Sequence, residues 1–258
     1  MSAPASATST SATGAAPVWQ AIQAQARAEI IMSLRNGERV MVTILIPALL
    51  LIFAMAVRLA PTGRETAIQF LAPGILAAAV MSTGMVSLSI ATAYERYYGV
   101  LKRLGATPLP RWGLIAAKML SVLAIEVAQV ALVLLLATVF YGWRPAGSLF
   151  GALLVLLVGT ACFTGLGMLM AGTLRAEATL AGANGLYLLF LLIGGVVLPI
   201  DHMPVWLQPV LHLLPPAALS DSLRGALTAQ GLPWGSFGLL LMWTLIFLGV
   251  AVTTFQWE

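Results

Sequence analysis

The chain has 258 residues, 60% of them hydrophobic and 9% charged, and a mean hydropathy of +0.97. Soluble domains carry about 25% charged residues, so this composition excludes a water-exposed exterior and places the chain in a bilayer, where the outside of a helical bundle is apolar too. The net charge of +4 does not mark a nucleic-acid binder, because the basic residues sit in short gaps between long apolar runs, where they act as orientation signals.

Residues 1–16 are almost entirely Ser, Ala, Thr, Gly and Pro. They have neither the basic start nor the apolar core of a secretory leader and read as a disordered cytoplasmic tail. Between 18 and 39, Trp19, Ile22, Ala26, Ile30 and Leu34 recur at helical spacing, with Gln20, Gln23, Arg27 and Arg35 largely outside the stripe. That pattern predicts an amphipathic helix. It suits a helix lying on the cytoplasmic membrane surface; a helix packed on another protein surface is the alternative.

Six segments are long and apolar enough to span, since a spanning helix needs about 20 residues at about 1.5 Å each. They cover about 40–57, 67–93, 112–141, 148–174, 178–200 and 236–256. The first contains Pro47 and no charge, and the third carries one acid, Glu126. The expected class is therefore an all-α integral membrane protein with six spans. An acid at the centre of a span costs about 2.5–3.5 kcal/mol on insertion scales. Glu126 and Gln129, three residues on, are accordingly expected to face the bundle interior. Two readings stand for them: a substrate route, or a hydrogen-bonded packing pair. Gly165, Gly167, Gly172, Gly182 and Gly185 in spans four and five read as close-packing positions rather than a phosphate loop.

The loop 94–111 is the most polar part after the tail. Val100, Leu101 and Leu104 make one face of a short helix beside Lys102 and Arg103, and Gly105 and the Thr107–Pro108 step favour ending it. Pro110 keeps the chain extended before span three. Bounded by two long spans, such a helix is shaped to transmit force; an ordinary basic loop is the alternative. Segment 194–233 is apolar but divided by Pro199, Pro204, Pro209, Pro215, Pro216 and Pro233. It predicts short re-entrant helices between spans five and six, or a cap lying flat, with Trp206 and Trp234 at the interface.

Of the thirteen Lys and Arg residues, nine fall on the side shared by Arg27, Arg35, Arg39, Arg96, Lys102, Arg103, Arg111, Lys118 and Arg175. Four, Arg58, Arg64, Arg144 and Arg224, fall on the other. The bias places both termini in the cytoplasm. A single cysteine, Cys162, excludes an intrachain disulfide and a multi-Cys metal site. His202, His212, Asp201 and Asp221 follow no metal-ligand spacing, and no serine has a nucleophile setting. No G-x-x-x-x-G-K-[ST] loop is present. No catalytic, metal or cofactor residue is therefore assigned.

The loop also carries a resemblance. Glu95-Arg96, Gly99-Val100-Leu101-Lys102-Arg103-Leu104 and Ala106-Thr107-Pro108-Leu109-Pro110, followed by Lys118, resemble the signature of ABC-2 type transporter permeases, most closely their daunorubicin-resistance branch. The L-P-x-x-x-M-P-x-W-L and L-P-P-A elements of 198–217 and the ending Phe255-Gln256-Trp257-Glu258 are similar to the same family. The resemblance covers nearly all of 17–258, read as one transmembrane domain, and implies more than the residues alone. It implies an exporter of drugs, lipids or glycolipids in a bacterial plasma membrane, with antibiotic resistance among family roles. The permease pairs with a second permease, identical or homologous, in the lipid. It binds two copies of a separate ATPase that carries ATP and magnesium. Glu95 and Arg96 begin the coupling element, Gly99 to Pro108 form its body, and the amphipathic helix shares the ATPase contact. The aromatic pair Tyr97-Tyr98 departs from the small or polar residues common there, a departure that bears on which ATPase is accepted. Two rival readings remain: an ion-gradient-driven secondary transporter, which lacks the expected inverted repeat, and a non-transporting membrane scaffold or assembly factor.

Overall fold

The computed structural model describes residues 18–35, 37–57, 67–107 and 109–255, with the side chains of Glu38 and Arg39 excepted. The expected tail at 1–16, the side chain of Arg39, the basic residues Arg58 and Arg64, Pro108 and the 256–258 ending lie outside it. The described residues form helices joined by short turns, with no strand among them. This is the economical solution for a chain in lipid, where each backbone polar group must bond within its own segment.

Helix α1 (Val18–Arg35) leads into α2 (Gly37–Ala56), and the 18–35 and 40–56 helices are bent by 74° to each other. Next, α3 (Ala67–Met81), a π-helical segment (Ser82–Ser87) and α4 (Leu88–Tyr97) run together as one 31-residue span. Then come α5 (Val100–Gly105), α6 (Arg111–Val139), α7 (Leu149–Thr173) and α8 (Ala176–Ile193). A 3₁₀ turn (Ile200–His202), α9 (Gln208–His212) and α10 (Pro215–Leu227) precede the last helix, α11 (Trp234–Thr254). Among the described residues five helices are long and apolar enough to cross a membrane, or six if the bent α1–α2 pair is counted as one span. Span five is shorter than the 178–200 expected. It stops at Ile193 because Gly194 and Gly195 follow, and Gly195 takes φ +66°, a left-handed conformation that ends a helix.

The span 67–97 is the hub. In its most apolar stretch 72% of residues are buried, against 17% in α11. Small residues make this possible: Ala72, Gly74, Ala77, Ala78 and Ala79 let neighbouring backbones approach. The π segment and α7 also approach closely. A Cβ on Gly167 would lie 2.6 Å from the Gly84 carbonyl oxygen, so only glycine fits that crossing. Gly165 meets α11 in the same way and Gly172 seats the Phe255 ring, whereas Gly185 has no neighbour within 4 Å and packs nothing. Its helix docks instead through Thr179, Ala183 and Phe190.

Two interruptions in the helices are repaired from other helices. Pro47 has no N–H, which strands the Thr43 carbonyl four residues earlier. Gln129 on α6 donates its amide to that oxygen at 2.8 Å, while the Thr83 hydroxyl in the π segment meets the Gln129 Oε1 at 2.8 Å. One buried amide thus ties α2, the π segment and α6. At the end of α8 the guanidinium of Arg224 on α10 donates to the carbonyls of Gly195 and Val196 and lies 3.9 Å over the Phe70 ring. This residue, counted above as an orientation charge, is a structural cap. Helix α10 is buried along nearly its whole length against α3, α7 and α11, so 194–227 is neither free loop nor span.

Candidate functional site

The loop after the long span is built as a short, anchored helix. Helix α4 ends at Tyr97, and Gly99 takes φ +72°, the left-handed turn that lets the chain restart at Val100. The new helix ends at Gly105, as its sequence predicts, and Thr107 closes it by donating its hydroxyl to the Leu104 carbonyl at 2.6 Å. Pro110 is extended, with ψ 158°, and α6 begins at the next residue. Leu101 holds the element down. It is fully buried in a cluster with Ile22 and Ala26 of α1, Leu114 and Ile115 of α6, Met168 of α7 and Phe255. Leu104 is half-buried beside it, whereas Val100, expected on the same face, is exposed. Lys102, Arg103 and Thr107 are exposed as well. Tyr97 and Tyr98 are 66% and 70% exposed, with their rings edge-to-face at 5.2 Å. The result is an outward aromatic and basic face on a helix whose opposite side is fixed to the bundle.

The anchoring is electrostatic as well as apolar. Lys118, in the second turn of α6, has no exposed surface. Its ammonium donates to Glu29 Oε1 of α1 at 2.8 Å and to Glu95 Oε2 of α4 at 2.8 Å. A buried ammonium requires such partners, because an unpaired charge in a low-dielectric site is strongly unfavourable. Gln25 donates to the same Glu29 oxygen at 2.9 Å. Between Lys118, Glu29 and the π segment lies a cavity of about 60 Å³, bordered by the hydroxyl-bearing residues Ser33, Thr83, Ser87 and Ser121. It is roomy and polar enough for water. One lysine therefore binds the amphipathic helix, the end of span two and the start of span three into a single unit.

Two arginines complete it. Arg96 donates to the carbonyl of Leu174, the residue capping α7. Arg111 donates to Thr253 in the last turn of α11 at 3.4 Å. Cations at helix C-termini satisfy stranded carbonyls and oppose the negative end of the dipole. Glu95 and Arg96 thus turn inward, bonding to the bundle, and the outward residues are those that follow them.

On α1 the buried stripe is Ile22, Ala26 and Glu29, with Ile30 half-buried. Trp19, Leu34 and Arg27, also assigned to this helix's function, are exposed. The buried face is rotated from the one the apolar residues alone predict, because Glu29 is drawn in by Lys118. Glu29 was not singled out from the sequence, and Lys118 entered only as part of the signature and as an orientation charge. A lysine eight positions into a spanning helix was the available signal, read there as an orientation charge. Pro108 lies outside the described residues.

Glu126 and Gln129 turn to different neighbours. Gln129 is committed to α2 and the π segment. Glu126 faces α7, where the Thr160 hydroxyl bonds its Oε2, and it borders a separate apolar cleft.

The comparisons with known proteins agree with this architecture. The sequence profile of the family described as ABC-2 type transporter matches residues 20–228. The chain is 26% identical over 153 residues to the "Probable multidrug ABC transporter permease YbhR" of Escherichia coli K12, a match covering 59% of this chain and 42% of that relative. It is 26% identical over 179 residues to the "Putative transport permease YvfS" of Bacillus subtilis, covering 66% and 69%. It is 25% identical over 193 residues to "ABC transporter G family member 20" of Dictyostelium discoideum, covering 72% of this chain and 26% of that one. The chain therefore spans less than half of YbhR and about a quarter of the Dictyostelium protein. A multi-span helical bundle with a docked loop helix, and a family match over most of the length, lead to one assignment: this chain belongs to the ABC-2 type transporter family.

Proposed function

We propose that the chain is the membrane subunit of an ATP-driven exporter, coupled to a separate ATPase through the face formed by α1 and the 97–107 segment. The observation that carries the reading is the short helix α5. Leu101 pins it to the bundle while Tyr97, Tyr98, Lys102 and Arg103 point away from it. A protein that docks on that face and moves displaces a rigid body, because Glu29, Glu95 and Lys118 lock α1, α4 and α6 together. Movement then passes along the long span 67–97 to its partners in the bundle. ATP supplies the differential binding that drives the switch. In this reading the loop end faces the cytoplasm of a bacterial cell. Two ATPase copies, each with ATP and magnesium, serve a pair of permeases embedded in lipid, and residues 17–258 act as one transmembrane unit. The cargo is amphiphilic, drug-like, lipid or glycolipid.

Co-expression with an ABC-type ATP-binding protein, purification in detergent and reconstitution tests the assignment. The expected outcome is co-purification and ATP hydrolysis that depends on the permease. A chain that never co-purifies with an ATPase refutes it.

A further inference from the structure

Between α6 and α7 lies an open cleft of about 270 Å³, bordered by Leu123, Val127, Leu134, Leu153, Leu157 and Glu126. Every other lining side chain is apolar. Val127 is 70% exposed and Leu153 52%, so the cleft opens on the outer flank of two spanning helices. Glu126 is the sixteenth of the 29 residues of α6, about 23 Å along the helix from its start. It therefore sits near the middle of the span, where an acid is costly and needs a reason.

Packing does not supply that reason. The Thr160 hydroxyl that meets Glu126 Oε2 already has the Leu156 carbonyl within reach at 2.8 Å, so α7 does not need the carboxyl. The other oxygen, Oε1, is buried and has no hydrogen-bond partner among the described residues. Glu126 itself is 4% exposed, at the floor of the cleft rather than its rim. An apolar cleft with one polar group of unused bonding capacity is the general form of a small-molecule site. The volume is just below the usual range of about 300–1,000 Å³, which suits one small amphiphile. A carboxyl in apolar surroundings bonds an amine most strongly, because the bond is charge-assisted, and it repels anions.

We propose that the α6–α7 cleft binds lipophilic amines from the lipid side, the nitrogen donating to Glu126 Oε1 while the hydrocarbon body lies on Leu123, Val127, Leu134 and Leu153. The idea that such an amine is cargo rests on the exporter reading above; the binding itself does not.

The test uses the full chain in phosphatidylcholine nanodiscs with dodecylamine carrying a photoreactive diazirine on its chain, beside the matching diazirine dodecanol. Labelled peptides are mapped by mass spectrometry. The amine should label peptides containing 123–134 and 153–157 saturably and be displaced by unlabelled dodecylamine. Glu126→Gln should weaken it about tenfold or more, the worth of one charge-assisted hydrogen bond, and the alcohol should label weakly with no response to that change. Leu153→Trp, which fills the cleft and keeps Glu126, should abolish amine labelling, and it decides the matter if Glu126→Gln does not fold. Equal labelling by amine and alcohol, or unchanged amine binding in the folded variants, overturns the proposal, since the cleft is then ordinary lipid contact. No labelling by either probe, as when a second copy covers the cleft, overturns it as well. Permease-dependent ATP hydrolysis is measured on the same unmodified protein. If it persists without amine binding, only the cleft proposal fails; if it is absent while amine binds, the exporter reading fails.

Discussion

Replacing Lys118 with Met removes the positive charge that pairs with both Glu29 and Glu95. Each carboxylate loses a 2.8 Å ion pair, and two acids that shared an ammonium are left facing each other. Breaking a buried pair by deleting one partner costs about 3–5 kcal/mol. The lower end applies here, because the Glu95 side chain is 23% exposed and can draw on water, whereas that of Glu29 is 10% exposed. At about 2–4 °C per kcal/mol for a chain of this size, about 3 kcal/mol lowers the midpoint of thermal unfolding by about 6–12 °C. The triple variant Lys118→Met, Glu29→Gln, Glu95→Gln carries no net charge at the site and should recover most of that loss, since apolar or neutral replacement of a whole buried network is often close to neutral. Melting of the purified protein in detergent, followed by size-exclusion fluorescence, measures both. A midpoint for Lys118→Met within about 2 °C of the parent, or a triple variant no better than the single one, would refute the claim that this lysine clamps α1, α4 and α6.

Three further outcomes follow from the same geometry. Gln129→Leu strands the Thr43 carbonyl, while the Thr83 hydroxyl keeps the Ala79 carbonyl at 3.0 Å, and should destabilise by about 0.6–2 kcal/mol; in a Pro47→Ala background, where residue 47 regains an N–H for Thr43, the same change should cost less, as a double-mutant cycle on melting midpoints reads directly. Leu101→Ala should cost about 2–5 kcal/mol locally and loosen α5, abolishing stimulation of the ATPase with the spans still inserted, whereas Tyr97→Ala with Tyr98→Ala should leave melting unchanged and weaken ATPase co-purification. Because Glu95 and Arg96 bond inward, reversing both charges should abolish coupling and also lower the melting midpoint; lost coupling at an unchanged midpoint would place them on the docking face instead.

Membrane insertion and the helical class follow from the sequence alone, because an apolar run of sufficient length in lipid has one available backbone solution. Five of the six expected spans match helix ends within a few residues, and Gly105, Pro110 and the Gly194-Gly195 pair mark their turns as local chemistry predicts. What local pattern cannot show is which polar groups find one another. Lys118 lies 89 residues from Glu29 and 23 from Glu95, and Gln129 lies 86 from Thr43. Each residue taken singly looks like an orientation charge, a helix-face acid or a packing amide. Only when the spans assemble does the buried ammonium acquire two carboxylates and the proline-stranded carbonyl acquire a donor. The reason is physical: apolar length is a property of each segment, but the cost of burying a charge is settled by what the other segments bring to it. The sequence thus determined that the chain spans and where it turns, and the tertiary structure decided that Glu95 and Arg96 face inward, that Leu101 holds α5 to the bundle, and that Tyr97 and Tyr98 are exposed.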